Sequence, residues 1–264
     1  MNVIPLSSMD LVLASLLVAA LALLSLLLRL GIARSLVVAA VRTALQLTLI
    51  GLVLEWVFRA ESFAWVLLMA LLMLAVAGFE VMRRQRRRFS GFWGYGLGTL
   101  SMLLSSFLIT FFALRCIIGI QPWYSPQYAI PLLGMLLGNT MNGIALGLER
   151  LTENAWERRA VIEARLALGE SAREVMLPAV RAAVRAALIP IINTMSMVGL
   201  VSLPGMMTGQ ILSGSPPAEA VKYQIMIMFL IAAGTGFGSL AAVSAGAKRL
   251  FDKRQRLRLD RLTG

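Results

Sequence analysis

The chain has 264 residues, of which 59% are hydrophobic and only 14% are charged. Its 25 Lys and Arg residues against 13 Asp and Glu residues nevertheless give a formal net charge of +12. The hydrophobicity excludes a disordered chain and argues against a water-soluble globule. With one cysteine and no histidine, a single chain cannot build a disulfide framework, a zinc cluster or a Ser-His-Asp triad.

Seven stretches carry the roughly 20 apolar residues that a helix needs to cross about 30 Å of hydrocarbon. They are residues 11–28, 36–58, 63–81, 95–114, 128–148, 187–212 and 223–247. We predict an all-α, polytopic membrane protein with seven transmembrane helices in a single transmembrane domain over residues 1–264. We interpret the first stretch as a retained helix rather than a signal peptide. A signal peptide begins with a positively charged region, whereas residues 1–10 carry no Lys or Arg.

The basic residues predict how the chain is oriented in the bilayer. Nearly all of them lie in four segments that the seven spans place on one side of the membrane: residues 29–34, 83–88 and 150–185 and the basic tail 248–264. The exceptions are Arg42, Arg59, Arg115 and Lys222. Short loops rich in Lys and Arg stay in the cytoplasm. The N-terminus is therefore predicted outside and the C-terminus inside. We expect these charges to set topology and to contact the lipid bilayer, and we expect no nucleic acid partner.

Arg42 lies inside the second predicted span, where an unpaired arginine costs at least a few kcal/mol. Gln46 is one turn further along the same helical face. The pair could form an interior polar cluster with Glu80, Glu149 or backbone carbonyls. The alternative is that Arg42 extends its side chain to the membrane surface.

Amides mark the fifth and sixth predicted spans. Asn139 and Asn142 share one face of the fifth span, and Asn193 lies in the sixth. Such amides form hydrogen bonds between helices or line a pathway, and both roles stay open. Pro190, Pro204 and Gly205 are predicted to interrupt the sixth span, and broken membrane helices often face a binding cavity.

A metal-binding role has weak support in the sequence. The adjacent thioethers of Met206 and Met207 could contact a soft metal ion, although packing is the favoured interpretation. No carboxylate lies at the centre of a span, so the sequence offers no evident cage for a hard ion such as iron.

Residues 149–185 form the one long connection, and we predict that it is helical and cytoplasmic. Asn154 with Glu157 has the spacing of a capping box, and Gly169 suits a helix C-terminus. A second capping box at Ser171 is predicted to start a helix that Pro178 interrupts. The predicted apolar face of the first helix comprises Trp156, Ala160, Ala164, Ala167 and Leu168.

This segment could lie in the lipid interface or bind a cytoplasmic subunit. A lipid-bound helix prefers Lys and Arg on its polar face, whereas this segment carries both signs of charge. The mixed charge favours a protein partner.

Residues 163–169, EARLALG, resemble the coupling motif of ABC-transporter permeases, which a Leu-Pro pair follows; here that pair is Leu177 and Pro178. Arg165 replaces a family alanine, and the interval after Gly169 is shorter than in importer permeases. Residues 128–142 (YAIPLLGMLLGNTMN), 201–212 (VSLPGMMTGQIL) and 219–228 (EAVKYQIMIM) closely resemble the FetB-type permease family. That family includes bacterial proteins assigned to iron export and plant proteins linked to aluminium tolerance.

The resemblance implies the permease subunit of an ABC transporter in the bacterial inner membrane, exporting a metal ion such as iron or a metal-related solute. It implies a homodimer driven by a separate ATPase subunit. The coupling residues would be Glu163, Ala164, Gly169, Leu177 and Pro178. The candidate pathway would comprise Arg42, Gln46, Asn139, Asn142, Asn193, Pro204 and Gly205.

No G-x-x-x-x-G-K-[ST] sequence occurs in the chain, so it cannot hydrolyse ATP through a P-loop. We therefore expect no enzymatic activity and no cofactor in this chain, with ATP bound by the partner. The alternative function is a non-transporting membrane scaffold or sensor that recruits a cytoplasmic partner through residues 149–185.

Overall fold

A computed structural model describes residues 7–60 and 62–263, and helices dominate it. Residues 1–6, part of the segment without Lys or Arg, lie outside the described residues. Within the described part the helices are α1 Ser8–Leu27, α2 Ala33–Ala60, α3 Phe63–Arg84, α4 Phe92–Ile118, α5 Pro126–Glu157, α6 Arg159–Ala167, α7 Ala172–Met197, α8 Gly205–Leu212 and α9 Pro217–Arg249. All except α6 and α8 are long and apolar enough to cross a membrane, which confirms the predicted all-α fold with seven candidate spans.

The core of the bundle is built by α3, α4, α5, α7 and α9. Leu136 and Ile144 of α5 and Val243 of α9 are fully buried. By contrast, α1 and α2 pack mainly on each other. Only Ala33 and Val57 of α2 are buried, so this helix pair has an apolar surface for lipid or for a second chain.

Small residues let α5 approach its neighbours closely. A β-carbon on Gly143 would lie 2.5 Å from Thr235 Cγ2 on α9 and 3.3 Å from the carbonyl oxygen of Ala187 on α7. On Gly147 it would lie 2.9 Å from Val243 Cγ2. Glycine therefore fixes the spacing of the three central helices.

Helix α4 contains two π-helical turns, Leu103–Phe107 and Ala113–Ile118. The first turn brings Ser105 and Ser106 into the bundle, where the Ser106 hydroxyl donates a 3.4 Å hydrogen bond to Thr140 Oγ1. Such π-turns inside α-helices are frequent at functional sites. The hydropathy pattern did not reveal this hydroxyl contact.

The two ends of the bundle differ in chemistry. At one end, Trp123 packs edge-on against Phe63 and Phe111, with ring centroids 5.7 and 5.3 Å apart, as in the aromatic belts at membrane interfaces. At the other end, the connections 85–91 and 158–171 meet the tail 250–263; we call this the basic end. The structure thus brings together segments that the charge partition assigned to one side.

The connection 149–185 is shorter than predicted. Helix α5 continues to Glu157, so Asn154 does not cap a helix and instead donates its side-chain amide to Arg150 O at 2.7 Å. Helix α7 starts at Ala172 and passes through Pro178 and Pro190 without interruption. The prediction of breaks at these prolines was wrong, because neighbouring helices support α7 along this part of its length.

The sixth crossing has different bounds from the predicted span 187–212. Helix α7 ends at Met197, and a turn leads to the short helix α8, which begins at Gly205 with Pro204 at its N-cap. The break at Pro204 and Gly205 is therefore confirmed, whereas the helical part of the crossing begins 15 residues earlier than predicted.

Candidate functional site

Four side chains from three helices meet near the basic end of the bundle. Arg42 of α2 lies 3.6 Å from the Glu80 carboxylate of α3. Arg84, one turn beyond Glu80, lies 3.8 Å from the same carboxylate and donates a hydrogen bond to Asn142 Oδ1 of α5. We call Arg42, Glu80, Arg84 and Asn142 the polar cluster.

The contact of Arg42 is with Glu80, one turn before the end of α3. The Glu80 side chain is only 21% exposed, whereas that of Arg42 is 51% exposed. Arg83 also approaches Glu80, at 3.9 Å. Three guanidinium groups therefore surround one carboxylate, and the cluster carries a net positive charge.

The other predicted pathway residues are only partly gathered here. Gln46 lies on α2 one turn from Arg42 and is exposed, and Asn139 donates to Met135 O at 2.8 Å on its own helix. Asn193 is exposed on α7. The spacing Glu80–Arg84 was the sequence signal that could have placed Arg84 in the cluster.

The break in the sixth crossing lies near the end of α5 that begins at Pro126. Because Gly143 faces Ala187, Met197 lies at about the level of residue 133, some 10 Å from Pro126 along the helix axis. Gly199 adopts a φ of +83° in the turn, and its amide donates to Ser202 O at 2.9 Å. The turn therefore separates α7 from the short helix α8 at this level of the bundle.

No group of three or more His, Cys, Asp or Glu side chains that could hold a metal ion occurs in the described residues. Met206 and Met207 are adjacent on α8, so their side chains diverge by about 100° around the helix axis. Their positions favour packing over joint coordination of one ion.

Residues 158–171, which we call the elbow, connect α5 to α7. The chain turns at Gly169 with a φ of +93°, and the predicted capping box of Ser171 and Glu174 is confirmed. Arg165 Nε donates to Glu170 Oε1 at 2.8 Å, and this hydrogen bond lowers the pKa of Glu170. The elbow is thus a defined helical turn rather than a loose loop.

Most of the predicted apolar face of this segment points away from the bundle; the exception is Trp156, near the end of α5, whose ring centroid lies 3.9 Å from the Arg87 guanidinium. Ile162 is the buried side chain of α6, whereas Ala164 is exposed and Leu168 is 83% exposed. Of the predicted coupling residues, Glu163 and Gly169 line one groove. Leu177 and Pro178 lie farther along α7 and are exposed.

The tail is folded, which its charge pattern did not predict. Residues 250–263, which we call the strap, return across the basic end, and Leu262–Thr263 pair antiparallel with Arg88–Phe89. Gln255 Oε1 accepts a 2.8 Å hydrogen bond from the backbone amide of Ala172. The strap therefore fastens the start of α7 to the connection between α3 and α4.

Asp252 organises the turn of the strap. It accepts hydrogen bonds from the backbone amides of Arg256 at 2.9 Å and Arg254 at 2.8 Å, and from Arg256 Nε at 2.8 Å. These bonds, led by the Arg256 amide, lower the pKa of Asp252 to about 2. The carboxylate is therefore charged throughout the physiological pH range.

The comparisons with known proteins agree with this architecture. The model of the uncharacterised protein family UPF0014 matches residues 8–251. The chain belongs to the UPF0014 family. A UPF0014 membrane protein of Synechocystis, slr1647, is 41% identical over 216 residues, covering 82% of this chain and 83% of the relative.

Two further members carry functional names. Protein ALUMINUM SENSITIVE 3 of Arabidopsis thaliana is 34% identical over 201 residues, covering 76% of this chain and 71% of the relative. The Probable iron export permease protein FetB of Escherichia coli is 30% identical over 228 residues, covering 84% and 83%. The resemblance to FetB-type proteins is thus confirmed, and no solved structure shows significant similarity.

Proposed function

We propose that this UPF0014 member is the permease subunit of an ABC transporter in the bacterial inner membrane. The observation that carries the proposal is the elbow, which presents Leu168 and Glu163 outside the membrane-spanning bundle. Its flanking helices α5 and α7 run directly into the membrane core. A force applied at the elbow would therefore reach the centre of the bundle through two continuous helices.

The energy source in this proposal is a separate ATPase subunit. The chain contains no P-loop sequence, and the exposed elbow offers a contact for such a subunit. A homodimer is proposed because α1 and α2 expose an apolar surface beside the bundle. The named function of FetB supports an export role.

The polar cluster favours a particular form of solute. Arg42, Arg83 and Arg84 surround the single carboxylate of Glu80, so a bare metal cation would meet net repulsion. We propose that a metal-related solute crosses as a complex whose ligands make it neutral or anionic. The candidate pathway joins the polar cluster to Gln46, Asn139 and the break at Pro204 and Gly205.

Coupling can be tested in reconstituted vesicles. The soluble ABC ATPases of the source genome are each co-expressed with the tagged chain, and a complex that purifies is assayed for ATP-driven transport of iron supplied with citrate. We expect Glu163→Arg to reduce transport and binding of the ATPase, because it reverses a charge on the elbow.

The matched control is Glu219→Arg, which makes the same exchange at the opposite end of the bundle and should leave ATPase binding unchanged. Binding of the ATPase without any ATP-dependent transport would favour the scaffold or sensor function. Failure of every ATPase to bind would refute the permease proposal.

A further inference from the structure

A groove of about 590 Å³ separates the elbow from the strap. Glu163, Leu166 and Gly169 line one wall, and Arg254, Gln255 and Leu257 line the other. Leu166 and Leu257 supply apolar surface between the polar groups. The groove thus exists only because the strap folds back beside the elbow.

The groove lies beyond the bilayer surface. Helix α5 has 32 residues and is about 48 Å long, against about 30 Å of hydrocarbon. Its first residue, Pro126, directly follows the aromatic cluster around Trp123, which marks one membrane interface. The opposite end of α5, where the elbow begins, therefore protrudes by about 18 Å. This distance places the groove in water rather than among lipid headgroups.

The two walls carry opposite unneutralised charges. Arg165 pairs with Glu170, and Arg256 pairs with Asp252. Among the described residues, neither Glu163 nor Arg254 forms an ion pair. A matching ligand places an apolar side chain between a basic group and an acidic group, which is the chemistry of an amphipathic protein segment. An anionic lipid headgroup would be repelled by Glu163.

The second wall is held in place by the fold. Gln255 adopts a φ of +56° while its side chain accepts the Ala172 amide, and Arg261 donates to the carbonyl oxygens of Arg249 and Phe251 at 2.7 and 3.1 Å. A preformed wall lowers the entropy cost of binding. The strap therefore has the rigidity that a docking surface requires.

We propose that the strap supplies the second wall of the docking site for the ATPase subunit, with Arg254 contacting an acidic group of that partner. This inference rests on the proposed function. The elbow alone would bind through Glu163 and Leu168, whereas the groove adds a charged contact from Arg254 of the strap, a segment far away along the chain. The tail is thereby part of the coupling interface rather than only a topology signal.

The test compares two neighbouring charge reversals in the full-length chain in nanodiscs. Arg254→Glu reverses the charge in the groove, whereas Lys253→Glu makes the same change at an exposed position that does not line it. We expect Arg254→Glu to weaken ATPase binding about tenfold or more and Lys253→Glu to change it less than about twofold. Gln255→Ala should weaken binding without lowering the melting temperature of the transmembrane bundle.

Each outcome separates the inference from the proposed function. An ATPase that binds wild-type and Arg254→Glu chains equally would overturn the strap inference and leave the permease proposal standing. An absence of binding to the wild-type chain would overturn both. An effect of Arg254→Glu that appears in phosphatidylglycerol nanodiscs but vanishes in phosphatidylcholine nanodiscs would show that the strap binds lipid, which also overturns the inference.

Discussion

Gly169 turns the chain at the elbow with a φ of +93°, in a left-handed conformation that L-residues with a side chain adopt only at a cost. A β-carbon at this position would meet no atom within 4 Å, so a substitution acts through backbone strain alone. We expect Gly169→Ala to cost about 1 kcal/mol at the elbow and to reduce coupled transport. Transport and thermal unfolding of the reconstituted complex measure the two effects.

Gly209 of α8 provides the control for this prediction. A β-carbon there also meets no atom within 4 Å, but its backbone has no positive φ. Gly209→Ala should therefore leave transport unchanged and the melting temperature unchanged or slightly raised. Equal transport by Gly169→Ala and the wild-type chain would show that the bend at Gly169 is dispensable.

Arg42 and Glu80 form the ion pair that connects α2 to the bundle. Arg42→Leu removes one partner and leaves Glu80 beside only Arg83 and Arg84. We expect transport to fall about tenfold, equivalent to about 1.4 kcal/mol, while ATPase binding at the distant elbow is retained. Arg42→Lys should restore part of the transport, and a transport rate for Arg42→Leu equal to that of the wild type would remove the cluster from the pathway.

Among single residues, the sequence predicted contacts between charged side chains better than contacts that depend on how the tail folds. Glu80 was one of the candidate partners predicted for Arg42, beside Glu149 and backbone carbonyls, because an arginine inside a predicted span needs a partner. The structure shows the contact with Glu80. The bond between Gln255 and Ala172 was not predictable, because it joins residues far apart along the chain. No helical or strand periodicity in the tail signals that contact.

Helix packing depends on Gly143, where α5 meets both α7 and α9. A β-carbon at Gly143 would lie 2.5 Å from Thr235 Cγ2 and 2.9 Å from Ser239 Oγ. Because both neighbours belong to a buried face of α9, Gly143→Ala forces the helices apart. We expect a loss of about 1–3 kcal/mol, measured as a lower melting temperature in detergent.

Gly138 lies on the same helix and provides the comparison. A β-carbon at Gly138 would meet nothing within 4 Å, so Gly138→Ala should leave the melting temperature unchanged or slightly raised. A similar loss in both variants would indicate a general effect of alanine in α5 rather than a close contact at Gly143.

Helix number was predictable from the sequence, whereas several helix ends were not. Hydropathy marks only the part of a helix that lies inside lipid. The last turns of α5, up to Glu157, are rich in polar residues, so hydropathy did not predict them. Capping spacing gave one correct start, at Ser171, and one wrong start, at Asn154. Asn154 does not cap a helix because α5 continues past it to Glu157.

The whole molecule has a charge asymmetry that makes its orientation testable. The strap and the elbow share one end, and the connection around Ser213 follows the sixth crossing toward the other end. With Cys116→Ser as a cysteine-free background, Arg254→Cys and Ser213→Cys place single thiols at exposed positions on the two ends. Seven crossings with the basic end in the cytoplasm predict opposite accessibility.

In right-side-out vesicles, a membrane-impermeant maleimide should label Ser213→Cys and should label Arg254→Cys only after the vesicles are lysed. The physical reason is that carrying the strap and its cluster of arginines across the bilayer is strongly unfavourable, whereas the segment near Ser213 carries few charges. The reverse labelling pattern would invert the predicted orientation. It would also place the elbow away from any cytoplasmic ATPase, so this measurement bears on the energy source as well as on the topology.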